Sequence, residues 1–304
     1  MQLLLRLRLY NRAVTDRLRS PPAVGIGYRW AIDNWLRHNL DRFDVLEVTV
    51  DNCIYGRPAT RAAIFDLVGR VPMTAHGVGL SIGTDEPLDR GYLDHVAEVV
   101  KRLDASCYSE HLAFTRVPGR DLGNLLPLPR TAATACSIIA KVRQIQSHIP
   151  VPFLLENIAY VFDWPDSVLS HAEFFKRICG QTGAGILLDV ENLYANAQNH
   201  GVDARAFLNA LPAGIVAQVH IAGGVTVREP YLRRPFFADT HDQPISGDAL
   251  DLLAEVLARQ APSAVILERD ARLEFPDEIL DDIARIRARL KEHAGGNAVV
   301  AAPD

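Results

Sequence analysis

The chain has 304 residues, 48% of them hydrophobic and 23% charged, with a formal net charge of -5. This is globular composition with enough apolar material for a large core, and it speaks against a disordered chain or one drawn to nucleic-acid backbones or anionic lipid. No apolar run of roughly 18 residues could span a membrane, and the widely spaced Cys53, Cys107, Cys136 and Cys179 form no zinc ribbon or disulfide framework but fit a reducing cytoplasm.

In chain order, residues 1–20 read as a basic, amphipathic N-terminal extension, because Arg6 and Arg8 interrupt an early apolar run and no small-residue cleavage site follows. Short β-type apolar runs then recur at 23–27, 45–50, 72–78, 105–109, 153–156, 185–189, 216–221 and 264–268. Segments of helical period separate them at 92–103, 132–146, 172–179, 204–210 and 249–260. Such alternation predicts βα units on a parallel sheet, and eight of them predict a closed (β/α)8 TIM barrel of the xylose-isomerase-like kind over residues 21–294. The competing open, doubly wound sheet would want a Gly-x-Gly-x-x-Gly turn, but Gly25-Ile26-Gly27 runs into Tyr28-Arg29-Trp30. The long segment 225–243 has the length and the Arg, Pro and aromatic content of an active-site loop, and the glycine-led stretch 295–304 reads as a flexible tail.

Function in such a barrel sits where the strands end at their C-terminal side. The second run contains Glu47, the third ends near His76, and the fourth leads to Glu110-His111. The fifth ends on Glu156 and the sixth on Asp189, with Glu191 and Asn192 just beyond. The seventh holds His220, the loop after it carries Asp239-Thr240-His241, and the eighth ends on Glu268. Any one of these has a bland explanation as a helix cap, an ion-pair partner or a core histidine. Together they would crowd carboxylates at one mouth, and bound cations relieve that crowding most simply.

Imidazole and carboxylate without cysteine select iron, manganese or zinc. Asp239 and His241 are spaced to chelate one ion; His76, His111 and Glu156 suit a second; Asp189, His220 and Glu268 suit a third. Glu156 can bridge two ions, and the amide of Asn192 tilts one site away from zinc toward iron or manganese. Glu156, Asp189 and His220 are the residues expected nearest the chemistry. Arg228, Arg233 and Arg234, beside Tyr231, Phe236 and Phe237, are placed to grip a peptide carboxylate or backbone, with a solvated loop as the competing account.

These residues, with Gly25-Ile26-Gly27-Tyr28-Arg29, His76-Gly77-Val78-Gly79-Leu80-Ser81, Leu126-Pro127-Leu128-Pro129 and Glu268-Arg269-Asp270, resemble the multinuclear non-heme iron-dependent oxidases that modify ribosomally made peptides. The resemblance runs from about Gly25 to Asp270. It implies that His76, His111, Glu156, Asp189, Asn192, His220, Asp239, His241 and Glu268 bind two to three iron ions in mixed Fe(II)/Fe(III) states, with dioxygen as co-substrate. It further implies a precursor peptide as substrate, oxidised at Cys or at Asp or Asn, and a small partner protein that captures the peptide's leader. The chain departs from the family pattern at Glu110, Glu191 and Gly224, where Asp, Asn and a second His are usual.

Other functions remain open at this stage. An apurinic endonuclease-like hydrolase or a sugar isomerase-like enzyme on a related barrel would need a similar ligand set. Against the nuclease stand the acidic charge and Asn192, where zinc would be better served by imidazole. Non-enzymatic metal storage or sensing is a further alternative.

Overall fold

The computed structural model describes residues 21–229 and 234–300. Eight parallel strands close into a barrel: β1 (Ala23–Gly27), β2 (Val45–Thr49), β3 (Met73–Gly77), β4 (Tyr108–His111), β5 (Phe153–Glu156), β6 (Gly185–Asp189), β7 (Val216–Ile221) and β8 (Ala264–Leu267). Each pairs with its neighbour in chain order, and β1 closes the ring against β8. All eight apolar runs of the sequence became barrel strands. The fourth shifted most, because Ala105–Cys107 only leads into β4.

A barrel strand buries both faces, which is why these runs are nearly continuous in apolar residues. One face packs on the outer helices, whose apolar stripes supply Val96 and Val100 from Arg90–Arg102, Ile138 and Val142 from Ala132–His148, and Leu253 and Val256 from Gly247–Leu257. The other face fills the barrel. Its lower layer is apolar: Cys107, Leu154, Leu187 and Ala217 make one cluster, and Val45, Ala264 and Ile266 another. Strand alternation then puts Glu47, Ser109, His111, Glu156, Asp189, His220 and Glu268 at or near the inner face toward the C-terminal mouth. A dry floor therefore lies beneath a polar rim.

Among the described residues two antiparallel ribbons add to the barrel, Phe114–Val117 with Arg120–Leu126 and Val225–Val227 with Phe236–Ala238. The second falls in the segment 225–243 that the sequence marks as an active-site loop. A helix also starts without a linker after β6, at Val190–His200. The basic extension expected over residues 1–20 lies outside the described residues. At the other end the helix Pro276–Val300 runs through Gly295 and Gly296, past the point where a tail was expected. Its spacing of buried Ile279, Ile283, Ile286 and Leu290 ties it to the core; residues 301–304 lie outside the described residues.

That last helix is fastened to the barrel by a buried ion pair. Arg269 follows Glu268 in sequence, is enclosed, and donates from Nη2 to Asp282 Oδ2 at 2.7 Å. Asp282 also accepts from the Ile245 amide at 3.1 Å. Removing one member of such a pair leaves the other charged and dry. Asp282→Ala is therefore expected to destabilise the fold by about 3–5 kcal/mol, measured by denaturant unfolding; a loss below about 1 kcal/mol would show that Arg269 finds water instead.

Candidate metal centre

Glu156 is the hub. It ends β5 and is 1% exposed. Its Oε2 lies 3.5 Å from His76 Nε2 and 3.3 Å from His111 Nε2, and its Oε1 lies 3.1 Å from His220 Nδ1. Strand register makes this possible: His111 pairs with Glu156, and Asp189 pairs with His220, so neighbours across the ladder meet at the same height. One donor atom each from His76, His111 and Glu156 lie within 4.8 Å of one another, and so do donor atoms of Glu156, Asp189, His220 and Glu268. Both groups contain Glu156.

The surrounding residues hold these donors in place. His76 Nδ1 is 2.8 Å from Ser109 Oγ, which itself donates to the Ala75 carbonyl and so fixes the ring. Asp189 uses Oδ1 to cap the helix that follows it, accepting from the Asn192 amide at 2.7 Å. Asn157 clamps the Asp189 backbone through two 2.9 Å hydrogen bonds. Asp189 Oδ2 is left buried with no hydrogen-bond partner. His220 Nε2 is 2.7 Å from Glu47 Oε1, and Gln218 donates to the other Glu47 oxygen.

On the far side, His241 Nδ1 is 3.3 Å from Glu268 Oε2, and its Nε2 is 2.7 Å from Asp239 Oδ1. These last two atoms are in ion-pair contact, although their alignment makes no hydrogen bond. His241 has φ of +50°, a left-handed conformation held by the hydrogen bond from the Asp270 amide to its carbonyl at 2.8 Å. Such strain in a non-glycine residue is characteristic of functional positions. Arg29 reaches over the rim, 2.6 Å from Asp270 and 3.8 Å from Glu268. Gly27 gives it room, since a Cβ there would stand 2.7 Å from the Arg29 guanidinium.

Protonation follows from burial and crowding. Burial pushes His111 down to about 4 and lowers His76. Burial opposes a charged His220 as well, but Glu268, Glu47 and Glu156 overcome it and hold His220 well above the ordinary imidazole range. His241 is raised in the same way: burial is outweighed by its contacts with Asp239, Asp270 and Glu268. Burial, with Asp239 beside it, pushes Asp189 well above the usual carboxylate range, and Glu191 up to about 8. The mouth thus holds more negative charge than its own imidazoles and Arg29 neutralise comfortably.

The donor set fits a cation. Glu156 Oε2, Asp189 Oδ2, Asn192 Oδ1, Asp239 Oδ1 and His241 Nε2 are buried without hydrogen-bond partners, and all are oxygen or imidazole donors. Buried polar atoms are nearly always satisfied, so orphans gathered at one mouth point to a missing partner. Oxygen and imidazole donors suit iron, manganese or zinc.

The profile of the family described as RiPP precursor modification enzyme MbnB/TglH/ChrH, which acts on ribosomally made and post-translationally modified peptides, matches residues 23–291. The chain belongs to this family. Among its relatives, a UPF0276 protein of Streptomyces avermitilis is 32% identical over 301 residues, covering 95% of this chain, which spans 60% of that relative's length. A UPF0276 protein of Bordetella parapertussis is 33% identical over 270 residues, covering 89% of this chain and 93% of its own. Among solved structures, an L-ribulose 3-epimerase superposes with a TM-score of 0.58 at 13% identity, covering 92% of this chain and 98% of its own. The 3-keto-D-glucoside 4-epimerase of Escherichia coli gives 0.55 at 16% identity, covering 88% and 99%. At such identity these two share the fold, a xylose-isomerase-like TIM barrel.

The candidate ligands gather at the C-terminal ends of the barrel strands, and of the three arginines Arg228 and Arg234 lie among the described residues. Arg234 donates to the Asn199 carbonyl and so ties the ribbon to the helix Val190–His200. Arg228 is exposed on the same ribbon, and Arg233 lies outside the described residues. The sequence assigned no role to Gln218, held Ser109, Arg29 and Asp270 only as members of matched motifs, and offered Glu47 without a role. Gln218 and Glu47 had a readable signal: Gln218 is two residues before His220 and so shares its face, and Glu47 is a carboxylate in an otherwise apolar strand. Ser109 and Arg29 had only their places in matched motifs, because small hydroxyls and strand-end arginines are common.

Two outcomes test the centre. Glu156→Ala removes the group common to both donor sets and is expected to weaken at least two ions, whereas His241→Ala removes one donor from one ion; elemental analysis of both proteins checks the order, and full metal in Glu156→Ala would refute it. The charged forms of His220 and His241 favour the metal-free protein below their raised values and are lost as pH rises through them, while a metal needs both rings neutral. Metal uptake should therefore release protons and tighten with rising pH, which calorimetry in buffers of different ionisation enthalpy would register.

Proposed function

We propose that this chain oxidises a side chain, of Cys or of Asp or Asn, in a ribosomally synthesised precursor peptide, using two to three iron ions in mixed Fe(II)/Fe(III) states and dioxygen as co-substrate. The observation that carries the reading is the position of Glu156, one buried carboxylate in contact with His76, His111 and His220. A carboxylate so placed can bridge two cations and keep them close enough to act together. Membership of a family that modifies RiPP precursors supplies the peptide as substrate.

The residues divide the work by position. His76, His111 and Glu156 would hold one ion; Glu156, Asp189, His220 and Glu268 would hold a second; Asn192, Asp239 and His241 are the remaining donors. Bound iron supplies one-electron chemistry toward dioxygen, which a redox-inert ion cannot. The apolar floor of Leu154, Leu187 and Ala217 keeps water from entering beneath the centre and strengthens its electrostatics. Glu47 and Gln218 fix His220 from below, and Arg29 fixes Glu268 from above. Exposed Arg228, at the ribbon Val225–Val227, is placed to meet a peptide carboxylate. A small partner protein that captures the leader would bring the peptide to this mouth, in a cytoplasmic setting.

The decisive experiment loads the protein with iron under low oxygen, adds a short Cys- or Asp-bearing peptide encoded beside its gene together with the neighbouring leader-binding protein, and follows peptide mass. An oxidative mass change is expected with iron and dioxygen, and none with the zinc-loaded protein or without dioxygen. Equal turnover by the zinc form in anaerobic buffer would instead favour a hydrolase or an isomerase.

A further inference from the structure

A groove of about 440 Å³ lies between the ribbon of Phe114–Val117 and the first turns of the helix Ala132–His148. It adjoins the mouth. The ribbon starts shortly after His111, and the groove's other wall, Gly83 to Asp85, belongs to the loop that leaves β3 after His76. Ser81 joins the two walls: its hydroxyl accepts from the Thr115 amide at 2.9 Å and from the Arg116 amide at 3.3 Å. Its φ of +52° is the left-handed conformation that functional loops tolerate. Gly83 closes the joint, because its amide donates to the Ala113 carbonyl at 2.9 Å and a Cβ there would run into Leu128. The groove is therefore fixed by the backbone on both sides.

Its polar groups lack a counterpart. Thr84 lines the groove, is 4% exposed, and has a buried hydroxyl oxygen with no hydrogen-bond partner. Arg116 lines it as well and spends one guanidinium nitrogen on the Leu80 carbonyl at 3.1 Å, but among the described residues no carboxylate comes within ion-pair distance of it. Behind Thr84, buried Lys141 donates to the Ile82 and Thr84 carbonyls, so a second cation stands close by. Asp85 and Glu86 are the acidic groups near Lys141; Asp85 is exposed at the groove's edge, where water screens it. Ala133 and Thr134 add the positive end of a 17-residue helix. Opposite these groups stand Phe114, Pro129 and Trp164, the last held by its indole donating to the Pro127 carbonyl at 2.6 Å.

We propose that this groove is the subsite for an acidic residue of the peptide substrate, its carboxylate met by the unengaged nitrogens of Arg116 and by the Thr84 hydroxyl. The inference rests on the peptide-modifying reading above and adds to it where the peptide lies and what must flank the oxidised residue. A guanidinium matches a carboxylate with two parallel hydrogen bonds, and Arg116 keeps enough donors for that after serving Leu80. The volume is within the roughly 300–1,000 Å³ of ligand sites and exceeds what a lone carboxylate fills. A neighbouring side chain of the peptide therefore lies against Phe114, Pro129 and Trp164, a wall that a free inorganic anion would leave unused.

Calorimetry on the iron-loaded protein without dioxygen reads binding apart from turnover. The probes are the leaderless segment of the peptide encoded beside the gene, versions with each Asp or Glu changed in turn to Asn or Gln, and one with an amidated C-terminus. Arg116→Gln is expected to bind the unaltered segment about tenfold more weakly. One altered probe should lose the same factor on wild type and nothing further on Arg116→Gln, since both changes remove a single contact; which probe it is tells a side-chain carboxylate from the terminal one. Equal weakening of every probe by Arg116→Gln would overturn the inference, because Arg116 would then act only by holding the loop at Leu80. So would an unchanged affinity in Arg116→Gln, or a wild type that binds no probe. Either result alongside oxidation of the whole peptide by wild type leaves the proposed function standing, whereas a wild type that leaves that peptide unoxidised with iron, dioxygen and the leader-binding protein removes the proposed function itself.

Discussion

The fold is organised around an electrostatic problem. Glu47, Glu156, Asp189, Glu191 and Glu268 are all buried at the C-terminal end of one barrel. Like charges at these separations in a poorly solvated interior repel strongly, and desolvation adds to the cost. The chain answers part of it with Arg29 and with His220, which sits between Glu47, Glu156 and Glu268. The remainder is left in buried carboxylate oxygens without hydrogen-bond partners, among them Glu156 Oε2 and Asp189 Oδ2. An arrangement this costly in a marginally stable molecule is understandable when a bound cation repays it.

Scaffold and site are built from the same residues. Asp189 caps a helix with one carboxylate oxygen and offers the other to the mouth. Glu110, adjacent to His111, points the opposite way across the strand, where it accepts from the Tyr108 hydroxyl and the Leu80 amide and so ties the segment after His76 to β4. Burial and Asp51 push Glu110 up to about 8, consistent with its enclosed position on the outer face. Two neighbouring residues thus serve opposite sides of the barrel wall, one for the centre and one for the loop that shapes it.

Membership of the RiPP-modifying family gives this charge arrangement a biological setting, and the sugar epimerases that share the barrel show how little the fold alone specifies. What distinguishes this mouth is its donor set. Glu191 is buried with neither carboxylate oxygen hydrogen-bonded, and a Cβ at Gly224 would meet the Ala238 carbonyl and the Phe237 ring.

The sequence by itself determined the barrel and the identity of most candidate donors. Strand propensity, period and strand-end position are local properties, and eight apolar runs alternating with helical segments leave few ways to bury themselves. His76, His111, Glu156, Asp189, His220 and Glu268 could be read for the same reason, since each ends or closely follows a run. Only the tertiary structure decided which donors touch. Register between strands far apart in sequence sets His111 level with Glu156 and Asp189 level with His220, and no local signal encodes that height. The same holds for Ser109 behind His76, for Gln218 beneath Glu47, for the ribbon that commits Arg234 to Asn199, and for the dry corner around Glu191. Burial and contact are properties of the closed barrel, because they depend on the side chains that the other strands and loops bring to the same point.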